Sequence, residues 1–440
     1  MDILIKIAQL FLCFTILVGI HELGHFLMAR AFKIRVEKFY IFFDPWFSLF
    51  KFKRGDTEYG LGWLPLGGYV KIAGMIDESM DKEQMKQPVK PDEFRAKPAW
   101  QRLLVMVAGV MMNVLLAIVI YCAVCYTWGD FYFSNQDAKW GYNFNPTAHE
   151  MGFRDGDRFV SIDGEEIDNV MRVQNDLLIT DGGRRVIVER GGEPVTLDIP
   201  FESLLRMRQE KAYEDLFTLR LPFIVDSVSY TSAVEAGLES GDEVVAIDDL
   251  RDADYPRYRD YLQKHKNDKV LLTVRRDGAL IDSLALPVDA EGRIGVTVTN
   301  PYSLRTQYYT FWESIPAGIH KAGKTISSYW DQLKLIVQPK TKMYEELGGF
   351  VAIGSIFPSS WDWHDFWLKT AFLSIILAVM NLLPIPGLDG GHALFTLWEI
   401  ITRRKPSEKF LEVAQYVGLM IILALLVYAN GNDIYRFFIK

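Results

Sequence analysis

The sequence predicts a polytopic α-helical membrane protein, with four transmembrane helices and a membrane-associated β segment, joined to two extracytoplasmic α+β domains. Three observations lead there. Four apolar runs approach the roughly 20 residues that a helix needs to cross a bilayer. Hydrophobic residues make up 50% and charged residues 24% of the 440 positions, more apolar than a usual soluble enzyme and far more polar than a pure transporter. The net charge of −8 is unevenly placed, because residues 130–293 hold 20 Lys and Arg against 33 Asp and Glu. An acidic soluble middle thus sits between apolar, slightly basic ends, and this balance argues against a nucleic-acid partner.

The first apolar run, residues 3–20, contains one charge, Lys6, and continues into HELGHFLMARAF. It lacks the basic n-region and A-x-A site of a cleaved signal peptide, so it reads as a retained span. The second run, 103–126, has no charge; the third, 366–388, has only Lys369; the fourth, 410–430, has the core YVGLMIILALLVY. Basic residues mark the inner side of a membrane. They follow the first span (Arg30, Lys33, Arg35, Lys38), precede the second (Lys90, Arg95, Lys97, Arg102) and separate the third from the fourth (Arg403, Arg404, Lys405, Lys409). Segments 33–98 and 400–409 are therefore expected inside, with the acidic middle and both termini outside.

Between the first two spans, residues 58–73 (EYGLGWLPLGGYVKIA) are too short and too broken for a spanning helix. They fit a hairpin or loop that either lies on the cytoplasmic face or dips to membrane depth, where such backbone must be buried in protein or line a polar cavity. Residues 77–98 read as an exposed linker, and 302–338, with Trp312, Tyr329 and Trp330, as one or two amphipathic helices suited to the membrane surface. Cys13, Cys122 and Cys125 all lie in apolar runs and read as small core residues, not as a disulfide scaffold.

The acidic middle contains a repeat. Ala148, Gly152, Gly156, Asp157, Ile162 and Asp163 recur as Ala233, Gly237, Gly241, Asp242, Ile247 and Asp248, always 85 positions later. Each copy reads as a short helix, a Gly-Asp turn and an alternating strand. Later strands also correspond, VIVERGG against LTVRRDG. The pattern resembles the bacterial PDZ type, which binds extended peptides by adding a strand to an open edge. The second copy has Asp249 where the pattern has its last Gly, so its turn is expected to differ.

The chemistry begins at His21-Glu22-Leu23-Gly24-His25. Residues i and i+4 share a helix face, so both imidazoles can hold one metal ion, with Glu22 beside them to take a proton from water. Zinc suits this work because it lowers the pKa of its water to about 7. Three ionisable groups at the end of an apolar span are costly without such a purpose. A catalytic zinc keeps three protein ligands and one open position. A soluble-protease layout would take the third from the loop, at Glu58 or Glu78. The alternative is Asp389 in Asn381-Leu-Leu-Pro384-Ile-Pro386-Gly387-Leu388-Asp389-Gly390-Gly391-His392. Topology favours Asp389. The first and third spans run in the same direction, and His21, His25 and Asp389 all lie at their inner ends. Pro384 and Pro386 break the helix there and free backbone to shape a cavity. Asn381 has no evident structural duty in its apolar setting, and His392 is a weaker rival ligand.

H-E-L-G-H on the first span, N-x-x-P-x-P-x-L-D-G-G after the third, and the two PDZ-like copies between resemble the site-2 protease family, in particular its bacterial RseP-type branch. The resemblance covers nearly the whole chain. It implies an intramembrane zinc metalloprotease of the bacterial inner membrane, with His21, His25 and Asp389 as Zn2+ ligands and Glu22 as base. It implies that Asn381 helps hold substrate or transition state, and that LGGYVKI at 66–72 is a membrane-reentrant β segment. Gly67 and Gly68 would there offer a strand edge to an unwound substrate, beside Pro384 and Pro386. Substrates implied are single-span membrane proteins of the anti-sigma-factor type, cut after an earlier extracytoplasmic cleavage, and remnant signal peptides. Further partners are membrane lipid and peptide segments at the PDZ pair. One departure is Leu347-Gly348-Gly349-Phe350, where relatives often read G-P. The expected domains are a membrane part at 1–128, PDZ-like copies at 129–212 and 213–300, amphipathic helices and linker at 301–365, and a second membrane part at 366–440.

Overall fold

The computed structural model describes residues 2–64, 67–75, 88–213, 215–252 and 254–439. The chain divides into two compact units, residues 1–130 with 308–440, and residues 131–307.

In the first unit, α1 (Asp2–Ala31), α2 (Ala99–Trp128), α3 (Phe311–Val337), α4 (Trp363–Leu382), α5 (Asp389–Thr402) and α6 (Glu408–Ile434) are the main helices. Of these α1, α2, α4 and α6 are long and apolar enough to cross a membrane. Helix α1 continues eleven residues past the apolar run that ends at residue 20, because nothing in HELGHFLMARA breaks a helix. Helix α4 stops at Leu382, short of the expected 388. Pro384 and Pro386 have no amide hydrogen to donate and disfavour helix in the residue before them. The freed backbone turns at Gly387, whose φ is +101°.

Lipid tails are as apolar as leucine, so membrane helices associate through close packing at small residues. A Cβ on Gly24 would stand 2.5 Å from the Ala108 carbonyl oxygen, and one on Gly318 would stand 2.5 Å from the Cys122 nitrogen. These glycines bring α1 and α3 against α2. Helix α3 corrects one expectation. It starts only at Phe311, behind a capping box made by Thr310 and Glu313, so residues 302–310 are not helical. It also packs along α2 and α4, with Ala322, Ile326, Tyr329 and Leu333 in one cluster with Ala117, Tyr121, Ala371 and Ile375. Its stripe of small residues favours a helix neighbour, and Trp312 and Trp330 remain on the exposed side. Before α4, Gly349 caps a short helix, Phe350–Ser355. At this departure from the relatives' pattern, Asn430 and Asp433 of α6 accept the amide hydrogens of Phe350, Val351 and Ala352.

Residues 58–73 do not form a hairpin. They supply two strands of a four-stranded sheet made of β1 (Val36–Ile41), β2 (Phe50–Arg54), β3 (Thr57–Leu61) and β4 (Tyr69–Ile72), in the order β2-β3-β1-β4. β1 runs parallel to β3 and antiparallel to β4. β1 thus lies between β3 and β4, and β4 is on the sheet edge. Residues 76–87, which include the first half of the expected linker and Glu78, lie outside the described residues, as do Pro65 and Leu66.

The second unit contains the repeat. Its first copy is built from β5 (Tyr142–Phe144), β6 (Arg158–Ile162), β7 (Glu165–Glu166), β8 (Arg184–Arg190), β9 (Glu193–Ile199) and β10 (Phe217–Leu219). The second has β11 (Phe223–Val228), β12 (Glu243–Ile247), β13 (Leu250–Arg251), β14 (Lys269–Arg276), β15 (Ala279–Pro287) and β16 (Val296–Val298). The strand orders correspond: β9-β8-β6-β7 with the pair β10-β5, and β15-β14-β12-β11-β16 with β13 on β12. Pairing of Phe217–Leu219 with β5 carries the first copy beyond residue 212. The repeated Gly-Asp has a physical reason. Gly156 and Gly241 both have φ of +93°, and the buried carboxylates of Asp157 and Asp242 each receive two hydrogen bonds from one guanidinium, Arg190 or Arg276. Such bidentate pairs fix turn against strand. Asp163 and Gly164 both have positive φ in the first copy, whereas Asp248 alone does in the second, so Asp249 alters that turn as expected. Each copy has its own apolar core, one around Phe144, Phe153 and Phe159, the other around Phe223, Tyr258 and Leu272.

Candidate metal centre

His21 and His25 point from α1 towards α2 and are buried. The two helices run antiparallel, so one stripe of α2, Val105, Gly109 and Asn113, backs both rings. His25 Nδ1 lies 2.8 Å from the Val105 carbonyl oxygen, and His21 Nδ1 lies 3.2 Å from the Asn113 amide. Gly109 between them leaves room for the rings, since a Cβ there would stand 2.4 Å from His25 Nε2.

Asp389 arrives as the first residue of α5. Gly390 and Gly391 let the 383–388 turn fold against that first helical turn: Cβ atoms there would stand 2.3 Å from the Leu382 oxygen and 2.5 Å from the Ile385 oxygen. Asp389 Oδ2 then lies 3.1 Å from His21 Nε2 and 3.2 Å from His25 Nε2, and the two Nε2 atoms are 3.3 Å apart. Oδ2 is sealed from solvent and has no hydrogen-bond partner, only the two imidazole nitrogens beside it. Three ligand atoms thus form a nearly equilateral triangle. A tetrahedral ion with bonds of about 2.0–2.1 Å separates its ligands by roughly 3.3 Å, so these residues fit zinc.

The triangle opens onto a cavity of about 690 Å3 lined by Glu22, Gly67, Gly68, Asn381 and His392, among others. Gly68 lets β4 approach the base, because a Cβ there would stand 3.0 Å from Glu22 Cγ. Asn381, at the end of α4, has its amide nitrogen 3.4 Å from His21 Nε2. Pro384 and Pro386 are not among the lining residues. They shape the turn, and Pro386 packs on α6, where a Cβ on Gly418 would overlap its carbonyl oxygen. Glu58 accepts a hydrogen bond from Tyr40 and takes no part in the metal-binding group found among the described residues, which is His21, His25 and Asp389. His392 lines the cavity one turn beyond Asp389 but is not in the triangle. Sequence reading missed Val105, Gly109 and Asn113, although an asparagine in a charge-free apolar run was a visible signal. It also missed the wall formed by Lys38, Asp44 and Gln415.

A zinc-compatible triangle carried by α1 and α5, set among helices long and apolar enough to cross a membrane, fits the class of membrane-embedded metalloproteases. The chain belongs to peptidase family M50, whose family model matches residues 9–425. It is a zinc metalloprotease and a multi-pass membrane protein. It is 30% identical over 426 residues, 96% of each chain, to a Clostridium perfringens protein whose name describes a zinc metalloprotease. It is 27% identical over 463 residues to the regulator of sigma E protease of Haemophilus influenzae, covering 99% of this chain and 100% of that one. A Vibrio cholerae protein, also named for zinc metalloprotease activity, is 29% identical over 468 residues, covering 99% of each chain.

Proposed function

We propose that the chain cleaves single-span membrane proteins within the bilayer, using His21, His25 and Asp389 to hold zinc and Glu22 as the base. The observation that carries this reading is the ligand triangle at the foot of a cavity flanked by β4, the last strand of its sheet. Zinc held there supplies Lewis acidity for the scissile carbonyl and its attacking water. A helical amide is wrapped in its own hydrogen bonds, so the substrate must unwind before attack. The edge of β4, beginning at Gly67 and Gly68, offers main-chain groups to the unwound stretch. Asn381 donates to the substrate backbone beside the ligands. Glu22 takes a proton from the attacking water as its oxygen bonds to the carbonyl carbon. It then passes that proton to the amine nitrogen as the C–N bond breaks.

The two repeated copies act as PDZ-like domains outside the membrane that screen candidates by size or by a newly made C-terminus. The basic segments that flank the spans support an inner-membrane orientation with both termini and the repeat outside and the metal near the cytoplasmic side. Similarity to a regulator of sigma E protease favours an anti-sigma-factor type of substrate, trimmed beforehand on the outer side. Remnant signal peptides share the required geometry, a short outer part on one apolar helix. The test is cleavage of a reporter span by the purified protein, with and without a zinc chelator. Cleavage that survives complete zinc removal, or that requires a folded soluble substrate, overturns the reading.

A further inference from the structure

The side chain of Asn113 is completely buried in α2. A polar side chain in a spanning helix is costly unless it has a partner. Here the amide nitrogen faces His21 Nδ1 at 3.2 Å, while the amide oxygen is buried with no partner. The neighbouring ligand shows a complementary arrangement. His25 Nδ1 faces the carbonyl oxygen of Val105 at 2.8 Å. A carbonyl only accepts, so His25 carries its proton on Nδ1 and keeps the Nε2 lone pair free for the metal position.

An amide nitrogen facing His21 Nδ1 would do the opposite. It would donate to Nδ1 and force the proton onto Nε2, the atom 3.1 Å from Asp389. A half-turn about the Cβ–Cγ bond of Asn113 exchanges its oxygen and nitrogen in place. The orphaned oxygen then accepts from His21 Nδ1–H, and both ligands present Nε2 lone pairs. From this geometry we infer that Asn113 is the positioning residue of His21: its amide oxygen accepts the Nδ1 hydrogen and fixes the tautomer that binds zinc. The inference rests on the ligand assignment proposed above. It also gives α2 one coherent role, since Val105, Gly109 and Asn113 recur every four residues along the face that meets the rings. Ser374 of α4 donates to the Asn113 backbone oxygen at 2.8 Å, which holds this level of α2 without engaging the amide.

The test compares N113L, N113D and S374A with the wild-type protein and with H21A. Leucine keeps the volume and removes the acceptor; aspartate keeps an acceptor; Ser374→Ala disturbs the same packing level and leaves the amide alone. Zinc affinity is measured by competition with a chromophoric chelator, and the His21 tautomer by 15N shifts of the imidazole in metal-free protein. N113L is expected to weaken zinc by about 10–100-fold, the usual effect of removing a partner of a ligand imidazole, with N113D and S374A within a few-fold of wild type. The wild-type ring is expected as the Nδ1–H tautomer, and the N113L ring as a mixture. Equal zinc affinity in N113L and wild type, an equal loss in N113L and N113D, or an Nε2–H ring in the wild type would overturn the inference. Full zinc retention by H21A would instead overturn the ligand assignment itself, so the two failures are distinguishable.

Discussion

In the proposed site Glu22 and the three candidate ligands have separable duties, and single substitutions divide them. Glu22→Gln keeps shape but cannot accept a proton; it is expected to retain zinc and bind substrate while turnover falls by about 10²–10⁴-fold. Asp389→Asn should lose zinc together with activity, whereas Glu58→Gln should keep its metal, since Glu58 is engaged with Tyr40 in the sheet. Metal analysis of both purified variants decides it, and equal loss would return the third ligand to the loop. Gly109→Ala tests the space behind the rings: its methyl would press on both imidazoles and should lower zinc affinity by roughly 10-fold or more. The grouping of His21, His25 and Asp389 was legible in the sequence because a shared metal position restricts residue type and spacing. Gly109 and Asn113 face the rings from another helix, and although they are four residues apart, nothing in the sequence says which stripe of α2 meets α1.

At the scale of elements, the spans were legible as apolar runs, but their ends were set by local chemistry that the apolar pattern does not contain. Helix α1 runs on through the polar motif, and α4 stops where prolines remove donors. The small sheet was harder to read. β1 is VEKFYI in sequence, a mixture of charged and apolar residues with only Val36 and Tyr40 fully buried. The crossing that places β1 between β3 and β4 is a tertiary fact with no local signature. The edge position of β4 gives a prediction: Gly68→Val would set side-chain atoms against Tyr40 O, Val18 and Glu22. It should reduce kcat/KM for a span substrate by about 10-fold or more, with zinc content unchanged, because misplacement near 1 Å already carries a large penalty. Unchanged kinetics would remove β4 from substrate positioning.

At the scale of the molecule, residues 131–307 form a compact unit with two cores of its own, and expressed alone they are expected to fold. The carboxyls of Asp155, Asp163, Asp242 and Asp289 all titrate below the ordinary value of 3.8, because backbone and guanidinium hydrogen bonds outweigh the burial that opposes their ionisation. Asp289 reaches about 2. The unfolded chain therefore binds more protons than the folded one as pH falls from about 4 towards 2, and stability is lost across that window. Thermal melts of the isolated unit should show a falling midpoint there and a nearly flat one from pH 5 to 7. In the full chain, Gly241→Asp, at a position with φ of +93°, should let untrimmed substrates through while leaving zinc content and cleavage of a short, pre-trimmed span nearly unchanged. Loss of cleavage on that short span, in a variant still folded in the membrane, would couple the repeat to the hydrolytic centre.

The chain leaves the membrane unit at Asp130 and returns to it at Tyr308, and these points are pinned together: Tyr309 donates to the Asp130 carboxylate at 3.3 Å, and Lys321 bridges to it as well. A segment whose two ends meet is an insert, spliced into a host that closes up without it. The membrane unit and the repeat unit can then change hands separately. A lineage could trade one pair of repeated domains for another, or lose them altogether, by editing the sequence at this seam. A chimera with a short Gly-Ser connector across that seam is the laboratory form of that exchange, and it should yield a working but indiscriminate enzyme.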